Sequence, residues 1–139
     1  MTNGSTDDPW AIARLPMASV LAYFAAAMTG VWGVLHVAPT ARVVRAFEPI
    51  TASNRYVIVQ EWLAEGFTMW GIAAAVIAVT AAGSGSAAAH AIYGVSAGLL
   101  AALAILTALT GARTGVIWFK ICPYLQGAAA ALLVAAALV

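Results

Sequence analysis

Long hydrophobic runs divide this chain into four segments, each long enough to cross a lipid bilayer. They lie at about residues 16–37, 60–82, 87–110 and 115–139. A helix needs about 20 apolar residues to cross the ~30 Å hydrocarbon core, and each run meets that length. The second helix has room to begin as early as Asn54, with Ser53 or Asn54 as its cap. The pattern predicts an all-α integral membrane protein, with residues 1–139 forming a single four-helix bundle.

Polar segments of different lengths connect the four runs. GSGS at 83–86 and GARTG at 111–115 are short turns, so the runs that they join are expected to be antiparallel neighbours in an up-down topology. The connection at 38–59 is longer and more highly charged. Within it, the segment Ala41 to Phe47 fits a short interfacial helix or a plain polar loop.

The composition supports a membrane protein over a soluble one. Hydrophobic residues make up 64% of the chain and charged residues 8%, where a soluble domain carries about 25% charged residues. The formal net charge of +1 argues against a nucleic-acid partner, which requires a clustered basic surface. The only cysteine, Cys122, cannot form an internal disulfide. The principal partner expected from composition is therefore the lipid bilayer itself.

The distribution of basic residues predicts an orientation. The first and third connections share one side of the membrane and carry four arginines: Arg42, Arg45, Arg55 and Arg113. The opposite side has Arg14, close to Asp7 and Asp8. The positive-inside rule then places both termini outside the cell membrane. The two aspartates also argue against a signal peptide, so the first run is expected to be a retained anchor, with Trp10 among the headgroups.

Ionisable side chains from three of the predicted spans lie at a similar depth near the cytoplasmic side. This polar layer consists of His36, Glu61, Glu65, Lys120 and Tyr124. Charged groups inside a membrane segment are costly and usually have a partner or a function, so we predict that Lys120 neutralises Glu65. The structural alternative is that the glutamates favour a helix N-terminus and that Lys120 extends to the headgroups. No metal site is predicted, because the chain lacks metal-ligand spacings and the Lys120 cation would oppose one.

Three further features have both structural and functional interpretations. Gly94 and Gly98 form a GxxxG step that suits close helix packing, within the bundle or against another subunit. Pro123, after Cys122, predicts a kink in the fourth span. Trp32 and Trp70 lie deeper than the interfacial aromatics, and they either line a cavity or fill volume.

Three stretches of the chain carry a resemblance to a known family. They are His36, the run NRYVIVQEWLAEG at 54–66, and FKICP at 119–123. With the four-span layout, these resemble the small DoxX-like membrane proteins of bacteria. The resemblance implies a bacterial inner-membrane protein linked to quinone-coupled sulfur oxidation or to oxidative-stress complexes. The chain departs from that pattern where its first span ends in His36 rather than in a lysine-bearing glycine-rich turn.

Three functions of different classes are compatible with these features. The first is a non-catalytic membrane subunit that binds a partner protein or a lipid-soluble ligand through the polar layer. The second is a quinone-linked redox component, in which His36 and Glu65 would handle protons. The third is a small transporter, which would need a homo-oligomer because four helices enclose little space. The sequence favours the first over an enzyme, and quinone is the one cofactor that the DoxX-like resemblance suggests.

Overall fold

Four long apolar helices dominate the computed structural model, which describes residues 15–139. The helices are α1 Met17–Val37, α2 Thr40–Ala46, α3 Ala52–Gly83, α4 Ala87–Leu109 and α5 Ile117–Leu138, with a 3-10 turn at Gly111–Arg113. All except α2 are long and apolar enough to cross a membrane. The predicted all-α four-helix membrane bundle is confirmed, and the chain is a multi-pass membrane protein. The predictions for Asp7, Asp8, Trp10 and Arg14 lie outside the described residues.

The four long helices form a ring of neighbours. Helix α1 packs against α3 and α5, while α4 packs against α5 and, over a smaller contact, α3. The core of this ring is built largely from small residues, among them Ala22, Ala25, Ala26, Ala73, Ala89, Ala97, Ala129, Ala130 and Ala136. Lipid tails solvate apolar side chains as well as a neighbouring helix does, so small residues stabilise the bundle by allowing backbones to approach closely.

Glycines produce the closest approach between α1 and α3. A Cβ atom at Gly33 would lie 2.8 Å from the ring of Trp70, and one at Gly66 would overlap Cγ2 of Val37. Both positions are buried. Only the paired helices reveal which side chains face these two glycines.

The GxxxG step on α4 has a different position. Gly94 and Gly98 are exposed, and a Cβ atom at either would meet nothing within 4 Å. This face therefore points away from the helices of its own bundle. The GxxxG step was predicted to pack against a helix of the same bundle or against another subunit. No helix of the described residues packs against it, so the first alternative is wrong.

Helix α3 is longer than the predicted second span. Its 32 residues extend about 48 Å, against a hydrocarbon core of about 30 Å. The prediction that Ser53 or Asn54 caps this helix is wrong. The cap is Thr51, whose side chain accepts a hydrogen bond from the Asn54 backbone N–H at 3.2 Å. The first turn also carries an exposed ion pair between Arg55 and Glu48. The extra length at the N-terminal end of α3 thus contains three polar residues, Ser53, Asn54 and Arg55.

The connections before and after α3 both have a defined structure. The segment predicted to be a short helix or a polar loop is a helix, α2, whose Val44 is buried while Arg42 and Arg45 are exposed. In the 83–86 turn, Gly83 has a φ of 140°, a backbone conformation that residues with a Cβ rarely adopt. The Ser84 hydroxyl accepts a hydrogen bond of 3.0 Å from Ser19, which ties this turn to the start of α1.

Candidate functional site

A histidine and a tryptophan join the end of α1 to α3. His36 Nε2 lies 3.1 Å from the Trp62 carbonyl oxygen, and Trp62 Nε1 donates to the His36 carbonyl oxygen at 2.8 Å. Because a carbonyl can only accept, Nε2 is the ring nitrogen that carries the hydrogen. The rings also stack, with centroids 3.9 Å apart and 14° between their planes. Trp62 is therefore part of the site.

Glu65 and Gln126 continue this contact towards α5. Glu65 Oε2 lies 3.7 Å from His36 Nε2, and Gln126 Nε2 donates to Glu65 Oε1 at 3.4 Å. The His36 side chain is 7% exposed and that of Glu65 is 28% exposed. We call His36, Trp62, Glu65 and Gln126 the inner cluster. It links α1, α3 and α5 through groups that can form hydrogen bonds where the bilayer supplies none.

Lys120 does not pair with Glu65. Of the described residues, those with a salt-bridge contact are His36 with Glu65 and Arg55 with Glu48, so the predicted Lys120–Glu65 pair is wrong. The reason is the helical register of α5. Lys120 precedes the buried Cys122 by two positions, and at about 100° per residue these side chains point in roughly opposite directions.

Lys120 and Tyr124 instead form part of an outward-facing groove. Both are exposed, and both line a shallow, open groove between α4 and α5. The other walls of this outer groove are apolar: Ala104, Ile105, Ala108, Ala112 and Pro123. The groove therefore combines one cation and one phenol with an apolar floor.

Glu61 belongs to neither group. Its side chain is exposed, and its contact is a 3.4 Å hydrogen bond from the neighbouring Gln60 amide. The five residues predicted to form one polar layer therefore point in three different directions from their helices. His36 and Glu65 face the bundle, Lys120 and Tyr124 face the outer groove, and Glu61 faces outward from α3.

Two deeper tryptophans act as hydrogen-bond donors between helices. Trp32 Nε1 donates to Cys122 Sγ at 3.1 Å, which connects α1 to α5. Trp70 Nε1 donates to the Gly30 carbonyl oxygen at 3.2 Å, connecting α3 to α1. Trp32 also lines a small cavity, while Trp70 is exposed along one side. Pro123 lies inside α5, which remains helical through it.

Trp62 and Gln126 are the two members of the inner cluster that were not predicted from the sequence, and Gln126 is the one that the sequence could have identified. Its signal was available: a lone amide within a 22-residue apolar helix has to find a partner inside the membrane. Its spacing of four from Cys122 puts the two side chains on one face of α5, and the structure shows that this face is buried. Charge alone favoured Lys120 as the site residue of α5, but Lys120 lies on the opposite, exposed side of this helix.

The described residues contain no group of three or more His, Cys, Asp or Glu side chains placed to hold a metal ion. Comparison of the chain with protein-family models, curated proteins and solved structures finds no match. The inner cluster and the outer groove are therefore the features of the structure that bear on function.

Proposed function

We propose that this protein is a non-catalytic membrane subunit that binds a lipid-soluble ligand in the outer groove. The ligand class that fits is an amphipathic lipid with an anionic phosphate headgroup. The observation that carries the proposal is the position of Lys120, exposed in a largely apolar groove and without a carboxylate within 4.0 Å among the described residues.

Charge complementarity supports this ligand. A lysine near the hydrocarbon region is costly unless it reaches the headgroups or meets an anion, and a lipid phosphate supplies that anion. Tyr124 lies one helical turn along the same face and offers a hydroxyl donor. The alanines and Ile105 of the groove give an acyl chain a smooth apolar surface.

The small space inside the bundle favours the outer groove over the inner cluster as the ligand-binding site. The cavity near Gln126 has about 10 Å³ open to the centre of a water molecule, which suits one water and excludes a quinone ring. His36 Nε2 and Glu65 are also already engaged with neighbouring protein groups. A redox component of the kind implied by the DoxX-like resemblance would therefore have to bind its quinone in the outer groove.

Native mass spectrometry of the protein released from bilayers tests the proposal. The bilayers contain equal amounts of phosphatidylglycerol and phosphatidylcholine, and the measurement is the ratio of the two lipids retained. A Lys or Arg near an anionic surface contributes about 1 kcal/mol, so Lys120→Gln is expected to lower the phosphatidylglycerol preference about fivefold. Ala108→Trp, which fills the groove without changing the charge, is expected to displace both lipids.

Arg42→Gln is the matched control, because Arg42 is an exposed cation outside the groove. It removes the same charge and is expected to keep the lipid preference. An equal loss in Arg42→Gln would show that general basic charge attracts the lipid, which would overturn the groove. Retention of a quinone in place of phospholipid would overturn the proposed ligand and favour the redox component.

A further inference from the structure

Gln126 has a hydrogen-bonding group that the protein leaves unused. The residue is 3% exposed, and its Nε2 faces Glu65 Oε1. In this contact the amide presents its NH2 group to Glu65 and turns its oxygen away. That oxygen, Oε1, is buried and has no partner among the described protein groups. A buried polar atom without a hydrogen bond is costly, and more so between membrane helices.

Gln126 also lines the cavity between the four long helices. The other walls come from α1, α3, α4 and α5: Met28, Thr29, Trp32, Met69, Leu100 and Leu125. The space open to the centre of a water molecule is about 10 Å³, close to the minimum for one bound water. The cavity thus has the size of a water site, and one of its lining residues carries an acceptor that lacks a donor.

Thr29 supplies a second polar wall. Its hydroxyl donates to the Ala25 carbonyl oxygen at 2.9 Å, which leaves the oxygen lone pairs free to accept. Trp32 lines the same cavity, but its N–H already donates to Cys122. A water there would meet two acceptors, Gln126 Oε1 and Thr29 Oγ1, and water carries two hydrogens to donate.

We propose that this cavity is a binding site for one structural water molecule, which donates to Gln126 Oε1 and Thr29 Oγ1. The water extends the inner cluster towards the middle of the bilayer, since Thr29 lies seven residues, or roughly 10 Å along α1, from His36. It completes the hydrogen bonding of an amide that holds Glu65 in place. This site is independent of the lipid proposed for the outer groove.

Radiolytic hydroxyl labelling of the full chain in lipid nanodiscs tests the site. Radicals formed from a bound water react with the side chains beside it, and Met69 is a readily oxidised cavity wall that is 1% exposed. We expect Met69 to be oxidised in the native protein in spite of its burial. Thr29→Val and Gln126→Leu are each expected to lower that oxidation severalfold, because each removes one of the two acceptors.

Thr68→Val is the matched control. Thr68 donates to the carbonyl four residues before it, as Thr29 does, but it is exposed on α3. This variant is expected to leave Met69 oxidation unchanged. The proposal is overturned if Met69 is not oxidised in the native protein, or if Thr29→Val leaves its oxidation unchanged. Thr29→Val keeps the Gln126–Glu65 hydrogen bond, so it decides the question even if Gln126→Leu fails to fold.

Discussion

Substituting Gly33 by alanine tests the packing of α1 against α3 directly. The added Cβ would lie 2.8 Å from both Cδ1 and Nε1 of Trp70, and 3.2 Å from the Cβ of Met69. The Trp70 ring can shift because it is partly exposed, but doing so strains its hydrogen bond to Gly30. The Met69 Cβ is attached directly to the α3 backbone and is buried, so it moves only if the two helices separate.

The magnitude follows from these contacts. Extra atoms in a packed core cost about 1–3 kcal/mol, and a hydrogen bond between membrane helices contributes about 0.6 kcal/mol. Alanine favours a helix over glycine by up to about 1 kcal/mol, which partly masks the loss. Gly71→Ala is the control. It gains the same helix propensity, but its added Cβ causes no clash because nothing lies within 4 Å of it. We expect Gly33→Ala to be less stable than Gly71→Ala by about 1.5–3.5 kcal/mol.

The assay is reversible unfolding in mixed micelles with a rising fraction of sodium dodecyl sulfate, followed by far-ultraviolet circular dichroism. Measuring Gly33→Ala again in a Trp70→Ala background should recover part of the loss, because only the Met69 contact then remains. Equal stability of Gly33→Ala and Gly71→Ala would refute the close approach of the two helices. An unchanged penalty after removal of the Trp70 ring would refute the role given to that ring.

Two further predictions concern the inner cluster and the topology. His36→Ala removes a hydrogen bond and a stacked ring, so we expect a loss of about 1–3 kcal/mol in the same unfolding assay. His90→Ala, at an exposed histidine that contacts Ser86 within its own segment, should change stability by less than about 0.5 kcal/mol; equal losses would argue against the His36–Trp62 contact. For orientation, Gly85→Cys should react with a membrane-impermeant maleimide added to intact cells, while Arg45→Cys should not. The reverse labelling would show that the predicted orientation is inverted.

The four spans and the turns between them could be predicted from the sequence because they depend on local properties. A run of about 20 apolar residues meets the thickness of the bilayer wherever its neighbours lie. The GSGS turn combines flexible glycines with a serine cap, since the Ser86 side chain accepts from the Ala89 backbone N–H at 3.1 Å. Depth along a helix is also local, and for this reason His36 and Glu65 could be placed at one level before any contact was known.

Direction around each helix was decided only by the tertiary structure. In a soluble helix, the polar face identifies the side that meets water, but in a bilayer the lipid and the core are both apolar. The inward face is then selected by small side chains that allow close approach and by the hydrogen bonds that polar side chains find on neighbouring helices. These contacts place Gln126 inside, and place Lys120 and the Gly94–Gly98 step outside. No periodicity of α4 or α5 taken alone carries that information.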